Sequence, residues 1–71
     1  MKITGTVVYQ DLEGGFWGII GDDNQQYRPV DELPAFVQID GRRVEVDLEP
    51  ANVVSITMWG RNVHIHEIKS L

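Results

Sequence analysis

Residues 14–23, with the sequence GGFWGIIGDD, restrict the fold more than any other stretch of the chain. The large apolar residues between positions 16 and 20 are interrupted by a single glycine, Gly18. A glycine inside an apolar strand usually marks a bulge, a sharp bend or a close approach of another segment. Small closed barrels need such bends, so the stretch predicts the second strand of a β-barrel.

Apolar residues at period two predict further strands on both sides of this segment. Residues 2–10 and 43–49 give the clearest signals, and in the second of these Val44, Val46 and Leu48 alternate with charged residues. Shorter strands are predicted at 16–20 and at 25–28, where Pro29 ends the ladder because it has no N–H to donate. Residues 53–59 are predicted to form another strand. Residues 63–68 either make a hairpin with it or continue it past a bulge.

Residues 31–37 predict a short helical turn that covers one end of the barrel. Asp31 is a suitable cap and Pro34 limits the length, and we expect Leu33 and Phe36 to plug the barrel end. The predicted core is Val7, Ile20, Val44, Val46, Leu48, Ile56 and Met58. The fold prediction is therefore one all-β domain over residues 1–71, a five-stranded antiparallel barrel like an OB-fold with one short helical turn.

Composition narrows the possible partners. The chain has 71 residues, no cysteine and a net charge of −5, so neither a disulfide nor a thiolate metal site can support the small core. The acidic balance opposes nucleic-acid binding, which depends on neutralising phosphates. No apolar run approaches the ~20 residues that span a membrane. We expect a cytoplasmic protein without a membrane partner or cofactor, either monomeric or weakly dimeric through edge pairing of the strand at 63–68.

Three motifs follow one another in the first half of the chain: GTVVY at residues 5–9, WGIIGDD at 17–23 and QYRPV at 26–30. They resemble the first three strands of the cold-shock branch of the OB-fold superfamily, and the resemblance implies single-stranded nucleic-acid binding. Glu13 stands where that family has lysine, and Tyr27 alone remains of its aromatic–His–aromatic set. The whole chain is also similar to small OB-like proteins of bacteria and archaea in size, in strand order, in the Gly14–Ile19 element, in Leu33-Pro34 and in residues 58–60 (MWG). This similarity implies no particular activity.

The aromatic residues are the candidate binding residues. Tyr9, Trp17 and Tyr27 would form a platform on which bases stack, with Arg28, Arg42 and Arg43 contacting phosphates. We favour the interpretation that Tyr9 and Trp17 are partly buried packing residues, since Asp11, Glu13, Asp22 and Asp23 lie close by in the sequence. Trp59 is either an exposed anchor for a protein partner or a ring that folds over the barrel end against Phe36.

The remaining motifs give weak functional signals. His64 and His66 have the spacing of a shared metal site that Glu45 or Asp47 would complete, but a solvated strand face explains the pattern better. No nucleophile motif or phosphate-binding glycine loop is present, so we expect no catalysis. The sequence predicts a non-catalytic module that binds a protein or peptide through Trp17, Trp59 and nearby aromatics. The alternative is weak single-stranded nucleic-acid binding through Tyr9, Trp17, Tyr27 and Arg28.

Overall fold

The architecture is a closed all-β barrel. A computed structural model describes residues 1–12, 14–52 and 59–71. Within these ranges the elements are the strands β1 (Lys2–Gln10), β2 (Phe16–Gly21), β3 (Gln26–Pro29), β4 (Arg43–Pro50) and β5 (Arg61–Ser70), with a 3₁₀ turn at Ala35–Val37 before β4. The predicted strand at 53–59 falls almost entirely outside the described residues. No helix in the described part of the chain has the length and apolar character needed to cross a membrane.

Strand pairing closes the barrel in the order β1-β2-β3-β5-β4, with β4 returning to β1. Four of the five pairs are antiparallel, but β3 and β5 run parallel. The prediction of a purely antiparallel barrel was therefore wrong at this one pair. A closed ring with an odd number of strands cannot alternate direction at every step, so one parallel pair is required.

The buried residues confirm much of the predicted alternation of inward and outward side chains along the strands. Val7, Val44, Val46 and Leu48 are fully buried, as predicted. Ile20 is only half-buried, and its neighbour Ile19 is buried instead. Ile19 lies opposite Val7 in the β1–β2 ladder, so the two share the inner face and Ile20 belongs to the outer one. Ile56 and Met58 lie outside the described residues.

The segment between β3 and β4 covers the barrel as expected, but one of the two side chains predicted to be buried there is exposed. Its helical part is shorter than residues 31–37, because only Ala35–Val37 form a 3₁₀ turn. Leu33 and Val37 are buried, whereas Phe36 is 56% exposed. Phe36 is therefore not the predicted plug. In a 3₁₀ turn, adjacent side chains point in different directions, so burial of Val37 turns Phe36 towards solvent.

The strand β5 has partners on both sides over its first residues. It pairs with β4 along most of its length and with β3 at Arg61–Val63 only. In the β4 ladder Asp47 lies opposite Glu67 and Leu48 opposite Ile65, so His66 is the extra residue of a β-bulge. The segment is thus a barrel strand between β3 and β4.

Candidate functional site

Two aromatic residues stand side by side at one end of the barrel. Tyr9 and Trp17 are opposite each other in the β1–β2 ladder, and their ring centroids are 5.1 Å apart in an edge-to-face arrangement. Trp17 is half-buried and packs against the core, whereas Tyr9 is 45% exposed. The pair therefore combines a ring held in place by the core with a ring open to solvent.

A groove of about 400 Å³ lies beside Trp17, between the start of β2 and the chain that follows β3. We call it the Trp17 groove. Gln38 Nε2 donates a hydrogen bond of 2.8 Å to the Leu33 carbonyl and so fixes the covering segment. Asp31 and Glu32 contribute carboxylates, and both residues are exposed. The other lining residues are Gln38 and five apolar ones, Phe16, Trp17, Pro29, Val30 and Leu33.

Trp59 packs against the outer face of β2. It is 9% exposed, and its ring centroid is 5.3 Å from that of Phe16 in an edge-to-face contact. A Cβ atom on Gly18 would overlap the indole ring of Trp59. The glycine that interrupts β2 therefore leaves room for this ring, and Trp59 is a packing residue rather than an exposed anchor.

Arg28 joins the same outer cluster. Its guanidinium carbon lies 4.0 Å from the centroid of the Phe16 ring, within the range of a cation–π contact. The structure therefore brings Arg28 and Trp59 together through Phe16. Tyr9 and Trp17 lie on the opposite, inward-facing side of the sheet, because side chains alternate along each strand.

Tyr27 lies in the core and is 3% exposed. Its hydroxyl donates a hydrogen bond of 2.7 Å to Asp23 Oδ2, and the Gln25 N–H donates one of 3.0 Å to Asp23 Oδ1. The bond from Tyr27, and then the one from Gln25, hold the pKa of Asp23 below its ordinary value of 3.8. The same carboxylate raises the pKa of Tyr27 above 10.0. Tyr27 is thus not part of an open platform with Tyr9 and Trp17.

Replacement of Tyr27 by phenylalanine is expected to destabilise the protein only between two limits of pH. The lowered pKa of Asp23 adds stability above about 3.8, which is lost as the pH falls further. The raised pKa of Tyr27 adds stability below 10.0, which is lost as the pH rises further. Urea unfolding of both proteins from pH 2 to 11 should show the largest difference in the neutral range. If the difference in unfolding free energy between the two proteins stays constant across this range, the hydrogen bond between Tyr27 and Asp23 does not couple their titration to folding.

The arginines proposed for phosphate contacts are engaged within the chain. Both terminal nitrogens of Arg43 donate to the Asp22 carboxylate at 2.7 Å, and one also donates to Thr6 Oγ1 at 3.0 Å. The hydrogen bonds from Arg43 lower the pKa of Asp22. Arg42 donates to Ser70 Oγ at 2.6 Å. Phosphate binding would have to break or share these contacts.

His64 and His66 contact two different carboxylates. His64 Nδ1 is 3.3 Å from Asp31 Oδ2, and His66 Nε2 is 3.1 Å from Glu49 Oε1. Glu45 and Asp47, the predicted further ligands, instead face Lys2 and the amino terminus at 3.9 and 3.2 Å. Among the described residues, no group of three or more such side chains is arranged to hold a metal ion.

Sequence reasoning did not find the wall of the Trp17 groove that follows β3. Val30 and Leu33 lie in a segment whose mixed composition predicted only a cover for the barrel. The sequence offered one indication of this wall: Pro29 lies between the strand that carries Tyr27 and the acidic pair Asp31-Glu32. Comparison of the chain with protein-family models, with the curated proteins and with the solved structures gives no match.

Proposed function

We propose that this chain is a non-catalytic binding module that recognises a segment of a partner protein in the Trp17 groove. The observation that carries the proposal is the combination of an exposed Tyr9, a half-buried Trp17 and an adjoining groove of mixed polar and apolar lining with two exposed carboxylates. Large aromatic rings fixed by their surroundings are the side chains most often found at binding hot spots. Their rigidity lowers the entropy that is lost when a partner binds.

The charges near the groove favour a peptide over a nucleic acid. Asp31 and Glu32 would repel phosphates but attract a lysine or arginine next to the apolar side chain that enters the groove. The engagement of Arg43 with Asp22, and of Arg28 with the Phe16 ring, also supports this choice. The preferred partner segment is therefore extended, with an apolar anchor and a basic neighbour.

The barrel type is compatible with this function. The strand order and the single parallel pair suit an OB-like barrel, and such barrels bind oligonucleotides and oligosaccharides on the face of strands two and three and on adjoining loops. The Trp17 groove lies at the start of β2 and beyond the end of β3. Since one barrel type serves many functions, the proposal depends on the groove rather than on the fold.

Peptides selected from a phage-displayed random library on the wild-type protein provide the test. We expect their binding to weaken roughly thirtyfold, about 2 kcal/mol, in Trp17→Ala. Tyr9→Ala should also weaken it, and this exposed position allows substitution without opening the core. Lys2→Ala, at the opposite end of β1, is the matched control and should bind like the wild type. Selected peptides that bind all three variants equally well would contradict the proposal.

A further inference from the structure

A second groove, of about 330 Å³, runs along β5 on the other side of the covering segment. We call it the β5-edge groove. Four consecutive residues of the strand line it, from Ile65 to Ile68, and Pro34 and Phe36 form part of the facing wall. Ile65 and Ile68 pack against the core, whereas His66 and Glu67 are exposed, so the groove is lined from both faces of the strand and follows its edge.

This edge of β5 extends beyond its partner strand. The parallel ladder with β3 ends at Pro29 opposite Val63, and Val30 then donates a hydrogen bond of 2.9 Å to the Val63 carbonyl. Pro29 limits β3 because proline cannot continue a ladder as a donor. Residues 64–70 pair with β4 on one side, and no strand in the described ranges pairs with their other side. An edge of this kind is a template for another strand.

The groove also has an apolar surface for side chains of an added strand. Phe36 is 56% exposed, and Ile65 and Ile68 are half-buried beneath it. A strand laid along the edge would place alternate side chains on this surface. Phe36, which the 3₁₀ turn directs towards solvent, would be covered in such a complex.

The charges that line the β5-edge groove determine which kind of added strand can bind there. The groove is lined by three carboxylates, those of Asp31, Glu32 and Glu67, and by one imidazole, that of His66. Glu67 lies 3.9 Å from Lys69 Nζ, Asp31 lies 3.3 Å from His64 Nδ1, and His66 lies 3.1 Å from Glu49. A second copy of this chain, with its net charge of −5, would bring like charges together. A basic peptide would not.

We infer that the edge of β5 at residues 64–70, where no strand of the described ranges pairs, accepts an extended peptide in which apolar and basic residues alternate, and that this peptide adds to the barrel as a further strand. The apolar side chains lie on Phe36, Ile65 and Ile68, and the basic ones approach the three carboxylates. Main-chain hydrogen bonds to residues 64–70 supply the affinity, as in other cases of strand addition. This groove shares Asp31 and Glu32 with the Trp17 groove but no other lining residue, and the inference depends on the edge of β5 rather than on a partner in the Trp17 groove.

The test uses the full chain and a blocked hexapeptide of alternating lysine and valine. We expect saturable shifts of the backbone amides at residues 64–70, slowed hydrogen exchange there, and intermolecular NOEs typical of paired strands. A glutamate–valine peptide should bind at least about tenfold more weakly. The lysine–valine peptide with N-methylated backbone should lose binding by a similar factor, since it cannot form the ladder.

Two variants locate the site. Phe36→Ser and Glu67→Lys alter exposed side chains, and each should weaken binding of the lysine–valine peptide at least about threefold. Lys2→Ala, at the start of β1 and outside the lining of both grooves, is the matched control, with unchanged affinity expected. Equal binding of the N-methylated or the acidic peptide would overturn the inference. So would an absence of shifts at residues 64–70, or dimerisation of the chain through this edge in place of peptide binding.

Discussion

Replacement of Leu48 by alanine is expected to lower the free energy of unfolding by about 2–5 kcal/mol, the range for large-to-small changes in a packed core. Leu48 is fully buried, and its backbone exchanges hydrogen bonds of 2.7 Å in both directions with Met1. It therefore lies where β4 meets the start of β1. A loss of this size is a large share of the ~5–15 kcal/mol that stabilises a typical domain.

Urea unfolding followed by circular dichroism measures this loss. Lys69→Ala is the control, because Lys69 is exposed on the strand that pairs with β4, and its change should stay within about 0.5 kcal/mol. If the two substitutions cost the same, Leu48 does not lie in the barrel core.

Replacement of Gly5 by alanine is expected to destabilise the barrel by about 1–3 kcal/mol, the usual cost of forcing extra atoms into a packed site. A Cβ atom at this position would lie 2.6 Å from the Ile20 carbonyl oxygen and 3.1 Å from Gly21 Cα. These are backbone atoms of the neighbouring strand, so the strands themselves would have to separate.

The same unfolding measurement, with Lys2→Ala on the same strand as control, checks the Gly5 prediction. Lys2 is exposed and its only described ion pair, with Glu45, spans 3.9 Å, so its change should be small. A Gly5→Ala protein as stable as the wild type would mean that β1 and β2 lie farther apart than the structure shows.

The sequence correctly predicted those features that depend on the residues of a single strand. The alternation of Val44, Val46 and Leu48 required one buried face, and the structure buries all three. Gly18 indicated a bulge, a bend or a close approach within β2, and the structure shows a close approach, by the ring of Trp59. Such features follow from side-chain size and period, which are visible in a short stretch of sequence.

Features that depend on two distant segments were less predictable. Ile19 and Ile20 are neighbouring residues of the same type, so the sequence alone does not show which of them faces the core. The pairing of Ile19 with Val7 decides this. The parallel pairing of β3 with β5 likewise follows from closure of the ring, which no local pattern records. Phe36 was expected to be buried because it is large and apolar, but the 3₁₀ turn buries Val37 instead.

The candidate site was predicted only in part, because its arrangement also depends on how distant strands pair. The sequence singled out five binding residues by type, and the structure distributes them among three environments. Trp17 lines a groove and contacts Tyr9, Tyr27 enters the core, and Arg28 and Trp59 pack around Phe16. Residue type indicates what a side chain can bind, whereas strand register decides which face it occupies.

A titration of isotope-labelled protein tests the proposed function most directly, with backbone amide shifts followed by NMR at low and at moderate salt. One arm uses mixed single-stranded DNA and RNA oligomers, and the other uses peptides selected on the Trp17 groove. We expect the peptides to shift the amides of Phe16, Trp17, Val30 and Leu33 and to keep doing so at moderate salt, while the oligomers cause no saturable shift. Saturable oligomer shifts on β1–β3 that disappear with added salt, without any peptide shifts at the groove, would contradict the account and assign the barrel to single-stranded nucleic acid.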